Sequence, residues 1–417
     1  MNIKSELVRN ILILMTGSTI AQAIPIAISP LLTRLYTPED FGILALYISI
    51  ASILAVIISM RYEIAIVQPV KDEDAIALVY LSLAIAFTLS MLLGIAIYFI
   101  KDDINHYLNA DLGDMLYFIP ITIFFIGCFR SLSYWNTRIK DFQNLSNAKV
   151  FQGGSAAAIQ VPSAKIFDSF GLILGYFLSY LFSSLYLLKN FISFCKNKKY
   201  QFEASNIYQN AKTYQNMPKF SVWGALADST SVQMPVFMIA RFFELNIVGA
   251  FSLIFRVLSL PMSLIGQALS QVLYQRVVEL SIENPKDLYK FIFKTFIFLV
   301  ITTIPMIIII SFFGEGIFVF IFGESWRTAG AMSVVLVYAI AVRFAVSPLS
   351  TVLSLSKNIK LGVLWQFIYL LTLTSVLIYF RNLELFAYLK IFVIHELILY
   401  SLYFIFILIG SRNFRNY

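Results

Sequence analysis

Thr295-Phe296-Ile297-Phe298-Leu299-Val300-Ile301-Thr302-Thr303-Ile304-Pro305-Met306-Ile307-Ile308-Ile309-Ile310-Ser311-Phe312-Phe313 runs from end to end without a charged side chain. A helix rises 1.5 Å per residue, so about 20 such residues cross the hydrocarbon core of a bilayer, roughly 30 Å thick. Lys290, Lys294 and Glu315 bracket the run. It reads as the centre of a membrane-spanning helix over 291–313.

The rest of the chain has the same character. Of 417 residues, 59% are hydrophobic and 13% charged, and mean hydropathy is +0.81. Soluble domains carry about 25% charged residues. A normal water-soluble surface cannot be built from this composition, which excludes a soluble enzyme, a secreted module and a nucleic-acid-binding domain. The net charge of +8 then reflects Lys and Arg in cytoplasmic loops. Two cysteines, Cys128 and Cys195, make no disulfide framework, and two histidines, His106 and His395, are too few for a His-built site.

With the 20-residue ruler the chain divides into about twelve spans: 10–33, 41–60, 76–100, 115–137, 148–167, 170–189, 219–240, 247–271, 291–313, 329–353, 361–380 and 385–409. The fifth is diluted by Gln152, Gly153, Gly154, Ser155 and Gln160. Lys4 and Arg9 precede the first run, which is too long for a signal peptide and lacks a cleavage site. Lys and Arg concentrate in alternate loops, which places both termini in the cytoplasm. The polar stretch 189–218 reads as a cytoplasmic linker between an N-terminal lobe, 1–188, and a C-terminal lobe, 219–417.

The halves share a short repeat. Arg34-Leu35-Tyr36 is followed by Gly42, and Arg241-Phe242-Phe243 by Gly249, at the same spacing. An even number of spans per half predicts parallel repeats about an axis along the membrane normal. The expected fold is all-α: a polytopic membrane protein of about twelve transmembrane helices, in two pseudo-symmetric six-helix lobes around a central cavity. Pro25, Pro30, Pro120, Pro162, Pro235, Pro261, Pro305 and Pro348 lie inside spans, which suits a protein that bends.

Ionisable residues inside a membrane face a cavity or a partner. Arg256, Arg343 and Arg130 are deep in their spans. Each is either a structural arginine, held by a salt bridge or a carbonyl, or part of a cationic cavity wall suited to a phosphate group. Arg61 and Glu63 close the second span at the inner face and could pair with each other or act at a gate. Asp228, Glu396 and Glu63 are the carboxylates that could couple to a proton or sodium gradient, or serve as arginine counter-ions. No phosphate-binding loop G-x-x-x-x-G-K-[ST], no H-E-x-x-H and no G-x-S-x-G occurs. Neither an enzyme, a cofactor nor a metal is expected.

Several stretches resemble the polysaccharide biosynthesis flippases, the translocases of O-antigen and capsule repeats within the multidrug/oligosaccharidyl-lipid/polysaccharide exporter group. They are Thr33-Arg34-Leu35-Tyr36-Thr37-Pro38-Glu39-Asp40-Phe41-Gly42, Met60-Arg61-Tyr62-Glu63-Ile64-Ala65-Ile66, Val248-Gly249-Ala250-Phe251-Ser252-Leu253 with Arg256 and Pro261, Gly266-Gln267-Ala268-Leu269-Ser270-Gln271-Val272, Phe322-Gly323-Glu324-Ser325-Trp326-Arg327-Thr328-Ala329-Gly330, and Ser347-Pro348-Leu349-Ser350. The resemblance implies two facing six-helix bundles and transfer of undecaprenyl-diphosphate-linked oligosaccharide from the inner to the outer leaflet of the bacterial cytoplasmic membrane. It implies a lipid-linked substrate, contact with membrane lipids, and work beside a polymerase and a chain-length regulator. A cation-drug exporter of the same group would need an acidic cavity. A repeat-unit polymerase would need a large outer loop, and a lipid II flippase two further helices. A membrane scaffold is the remaining class.

Overall fold

The computed structural model describes residues 16–197, 204–283, 285–354 and 358–412, and no strand occurs among them. Lys4, Arg9 and the start of the first expected span lie outside the described residues.

The opening segment breaks where proline requires it. Helix α1 covers 16–27 and α2 covers Ser29–Leu35, with Pro30 in the first turn of α2, where a missing N–H costs nothing. Helix α3, Pro38–Ile57, starts from a capping box: the Thr37 and Asp40 side chains each accept from the other's backbone N–H. A four-residue helix α4, Tyr62–Ala65, follows an elbow in which Met60 (φ 49°) and Arg61 (φ 64°) are both left-handed. Helix α5, Asp72–Leu108, opens on Asp72, Glu73 and Asp74, acids that complement the helix dipole. A 3-10 turn, Gly113–Tyr117, leads into α6, Phe118–Arg138.

Helix α7, Phe142–Asn197, is a hairpin. Its backbone reverses at Asp168 (φ 43°, ψ −133°), and the arms pack antiparallel. Gln160 Nε2 donates to Leu172 O at 3.0 Å, and a Cβ on Gly175 would lie 2.4 Å from Gln160 Cγ. Gln160, one of the polar residues that dilute the fifth expected span, thus serves the contact between the arms. The expected gap between 167 and 170 falls on this reversal, and both arms run longer than expected. Helix α8, Ala204–Thr213, occupies part of the linker and is tied to α5 by Asn210 Nδ2 donating to Asp74 Oδ1 at 3.1 Å.

The second half comprises α9 (Val222–Phe242), α10 (Leu245–Glu283), α11 (Pro285–Phe322), α12 (Arg327–Val346), α13 (Ile359–Tyr379) and α14 (Leu385–Arg412). Helix α12 gives way to a 3-10 segment, Ser347–Ser354, where Pro348 removes a donor. Between α11 and α12, Gly323 adopts φ 103°, and Arg327 ties the turn by bonding Glu324 (2.6 Å) and Glu315 (2.5 Å). A Cβ on Gly330 would meet the Glu315 backbone at 2.6 Å. The Phe322–Gly330 motif is therefore a tight helix–helix corner.

Eight helical segments among the described residues are long and apolar enough to cross a membrane, the α7 hairpin counted once. Their exposed faces are apolar: Phe87, Leu92 and Phe99 on α5, and Phe298, Ile308 and Phe312 on α11. Such a surface matches lipid and not water. The chain divides into two compact units, residues 1–233 and 234–417. The first is centred on Trp135 packed against Phe191 and Phe194, the second on Trp326, Phe318 and Phe392.

The sequence repeat has a structural counterpart. Leu32 O accepts from Tyr36 N at 2.8 Å, and Ile239 O from Phe243 N at 2.8 Å. Helix resumes at Pro38 and at Leu245 respectively, after two-residue connectors at corresponding positions.

Candidate functional site

The second unit holds a polar cluster inside its helix packing. Arg343, near the end of α12, donates from Nε to Glu396 Oε2 on α14. Arg343 Nη2 donates to Tyr369 Oη on α13 at 2.7 Å, and Tyr369 Oη donates to Glu396 Oε1 at 2.6 Å. Three helices are thereby joined in a closed ring of charge-assisted bonds, the stronger class of hydrogen bond. The rings of Phe255, Phe392 and Tyr400 stand 5.6–5.9 Å from the guanidinium. Cation–aromatic attraction adds to its hold. Glu396 is 0% exposed and Arg343 20%. The carboxylate is sealed, whereas the arginine side chain keeps that partial exposure.

His395 extends the cluster. Its Nε2 lies 3.1 Å from Thr372 Oγ1 on α13. Sequence reasoning missed Tyr369, Thr372, His395, Tyr400 and Phe255 as members. The dipeptide His395-Glu396 within an apolar run was the available signal. Tyrosine and phenylalanine in apolar helices gave none.

The structure unites Arg343 and Glu396, which the sequence assigned to different roles. Arg343 is thus not a surplus cation: it has a carboxylate partner. Arg256 is half-buried on α10, one residue from Phe255.

The other candidates lie in the first unit. Arg130 donates from Nη1 to Ala55 O at 2.7 Å. That carbonyl belongs to the last turn of α3, where intrahelical donors run out, so Arg130 holds the helix end beside the elbow. Arg61 and Glu63 form no ion pair with each other among the described residues. Glu63, 1% exposed, accepts from Ser59 Oγ at 2.6 Å, while Arg61 Nε is buried without a hydrogen-bond partner. Asp228 on α9 is exposed and has no cation at ion-pair distance among the described residues. Neighbouring Gln233 accepts from Ser49 Oγ at 2.9 Å. Lys149, on the first arm of α7, donates to Ser18 Oγ on α1 at 2.9 Å. No group of three or more His, Cys, Asp or Glu suited to a metal occurs among the described residues.

Residues 31–331 match the family described as polysaccharide biosynthesis protein. No curated protein matches the chain. Among solved structures, the chain is similar to an inward-facing multidrug resistance MATE family transporter of the MOP superfamily (TM-score 0.73, 13% identity, covering 96% of this chain and 95% of that one). It is equally similar to the lipid II flippase MurJ in its inward closed conformation (TM-score 0.73, 13% identity, 95% and 87% covered). A MOP superfamily transporter from Pyrococcus furiosus, whose binding pocket is described as reversed in polarity, follows (TM-score 0.61, 14% identity, 98% and 96% covered). At these identities the likeness shows the fold: an all-α, multi-pass membrane protein built like these transporters.

Proposed function

Because the chain belongs to the polysaccharide biosynthesis protein family, we propose that it is a flippase carrying undecaprenyl-diphosphate-linked oligosaccharide repeats, of O-antigen or capsule type, from the inner to the outer leaflet of the bacterial cytoplasmic membrane. The observation that carries this reading is Arg343: an intramembrane guanidinium fixed by Glu396 and Tyr369 with one fifth of its side chain open. An arginine fork bonds phosphate oxygens bidentately, so it suits the anionic part of such a lipid. Arg256 and Arg130 are the further cations assigned to the diphosphate. The glycan would cross by alternating access between two six-helix lobes, 1–188 and 219–417, joined by 189–218, with both termini cytoplasmic. Arg61 and Glu63 stand at the inner-face elbow, and Asp228 and Glu396 are the residues assigned to ion coupling. The protein makes and breaks no covalent bond in this reading and works upstream of a polymerase and a chain-length regulator.

The test is deletion of the gene, with surface polysaccharide and inner-leaflet lipid-linked repeats measured in the same cells. Loss of surface polymer with single repeats trapped inside is the expected result. Surface glycan carrying one unpolymerised repeat would point to a polymerase. Unchanged glycan would overturn the reading in favour of a drug exporter.

A further inference from the structure

Glu396 neutralises Arg343, so an anion reaching Arg343 meets a cluster already balanced in charge. The neighbouring residue can change that balance. His395 is buried, and its Nε2 lies 3.1 Å from Thr372 Oγ1. The Thr372 hydroxyl gives its own proton to a backbone carbonyl of α13, Ile368 O at 2.8 Å. With that proton committed, we assign Thr372 Oγ1 as the acceptor from His395, which places the imidazole proton on Nε2. That leaves Nδ1 as a bare acceptor. It is buried, has no hydrogen-bond partner, and lies 3.7 Å from Glu396 Oε1. Two acceptors face each other inside the protein with no hydrogen between them, an arrangement native structures avoid. One added proton on Nδ1 turns the repulsion into a charge-assisted contact, because a carboxylate has capacity for more than the two bonds Glu396 receives.

The other groups around His395 do not substitute for it. Helix α12 brings Arg343, α13 brings Tyr369, and α14 itself brings Glu396 and Tyr400. Helix α10 brings the Phe255 ring, with Arg256 next along the chain and cationic throughout. The charged residues of α11, among them Asp287, Lys290, Lys294 and Glu315, lie outside its uncharged run 295–313. The 3-10 segment after α12 carries no ionisable side chain within Ser347–Ser354. Histidine is the side chain whose charge ordinarily changes near neutral pH.

We infer that His395 is a proton-binding site that sets the net charge of the Arg343–Glu396 cluster, so that an anionic diphosphate headgroup and a proton bind the second unit together. With His395 neutral the Arg343–Glu396 pair carries no net charge; with His395 protonated the cluster carries one positive charge. Linkage is reciprocal: protonation tightens anion binding, and anion binding takes up a proton. The inference rests on the flippase reading for the identity of the anion.

The experiment is binding of undecaprenyl diphosphate to the full-length protein in nanodiscs across about pH 5 to 8, the range histidine spans. Wild-type affinity is expected to rise as pH falls, by roughly the 5–150-fold usual for coupled sites. His395→Gln keeps a donor for Thr372 but cannot take a charge, so its binding should be flat with pH. Thr372→Val frees the neutral ring to place its proton on Nδ1, which should weaken the pH dependence while leaving the fold intact. The chain has two histidines, so the His395 imidazole nitrogen resonances are assigned by their loss in His395→Gln. Their titration should move when the lipid is added, a response that a packing role would not give. Flat wild-type binding, or an unchanged slope in His395→Gln, overturns the inference alone. No binding at any pH overturns the flippase reading and the inference with it.

Discussion

Arg343 and Glu396 stand 53 residues apart in sequence and bond directly across α12 and α14, with Tyr369 bridging both partners. Removing one partner of such a pair leaves an uncompensated charge away from water. Glu396→Ala should cost about 3–5 kcal/mol, and Glu396→Gln clearly less, because the amide still offers Tyr369 an acceptor. Thermal melting in detergent reads both. The double variant Arg343→Met/Glu396→Met should recover most of the stability and none of the transport. A double variant as unstable as Glu396→Ala would mean that the pair is not the source of the loss.

Arginine chemistry predicts a graded response in export. Arg343→Ala and Arg256→Ala should abolish surface glycan while the protein still inserts. Lysine at either position should restore part of it, because a point charge lacks the planar fork. Normal surface glycan in both alanine variants would remove these residues from the binding site.

Asp228 is an exposed carboxylate on α9 without a cation at ion-pair distance among the described residues. With α9 read as the expected seventh span, 219–240, such a group is costly unless it is used. Asp228→Asn should insert normally and lower transport in cells or vesicles. Full transport in this variant would take Asp228 out of ion coupling.

The α7 hairpin turns at Asp168 with φ 43° and ψ −133°, a backbone conformation that favours glycine. Asp168→Gly should raise the melting temperature, since strained positions of this kind cost about 1–3 kcal/mol. Asp168→Val should lower it. Equal melting of all three proteins would show that the turn stores no strain.

Gly153 and Gly154 form a matched pair. A Cβ on Gly153 would lie 2.8 Å from Ala21 O, a backbone atom that cannot swing aside, whereas a Cβ on Gly154 meets nothing within 4 Å. Gly154→Ala should stabilise by about 1 kcal/mol through helix propensity. Gly153→Ala should destabilise by separating α7 from α1. Melting curves that order the two the other way would contradict this packing.

Much of the fold was legible in the residues. Uncharged runs such as Thr295–Phe313 mark spans because every backbone polar group in a bilayer must be satisfied within the helix. The spacing of Arg34 to Gly42 and of Arg241 to Gly249 marked two connectors that share backbone bonding. The site was legible only in part. Arg343 and Glu396 were visible as costly intramembrane charges, but their pairing was not. Arg130 looked the same as Arg343 in sequence, and its partner is a main-chain carbonyl at Ala55, which any residue could supply.

The sequence by itself determined that this chain is a helical, multi-pass membrane protein and which few side chains are expensive enough to need a reason. Those properties depend on local composition, and local composition is written along the chain. Only the tertiary structure decided that Arg343, Tyr369 and Glu396 close a ring, that His395 Nδ1 is buried without a hydrogen-bond partner, and that Arg61 and Glu63 form no ion pair among the described residues. These depend on the angular position of each side chain on its helix and on which helices pack together. In an apolar span no amphipathic pattern announces that packing, because lipid and protein core favour the same residues.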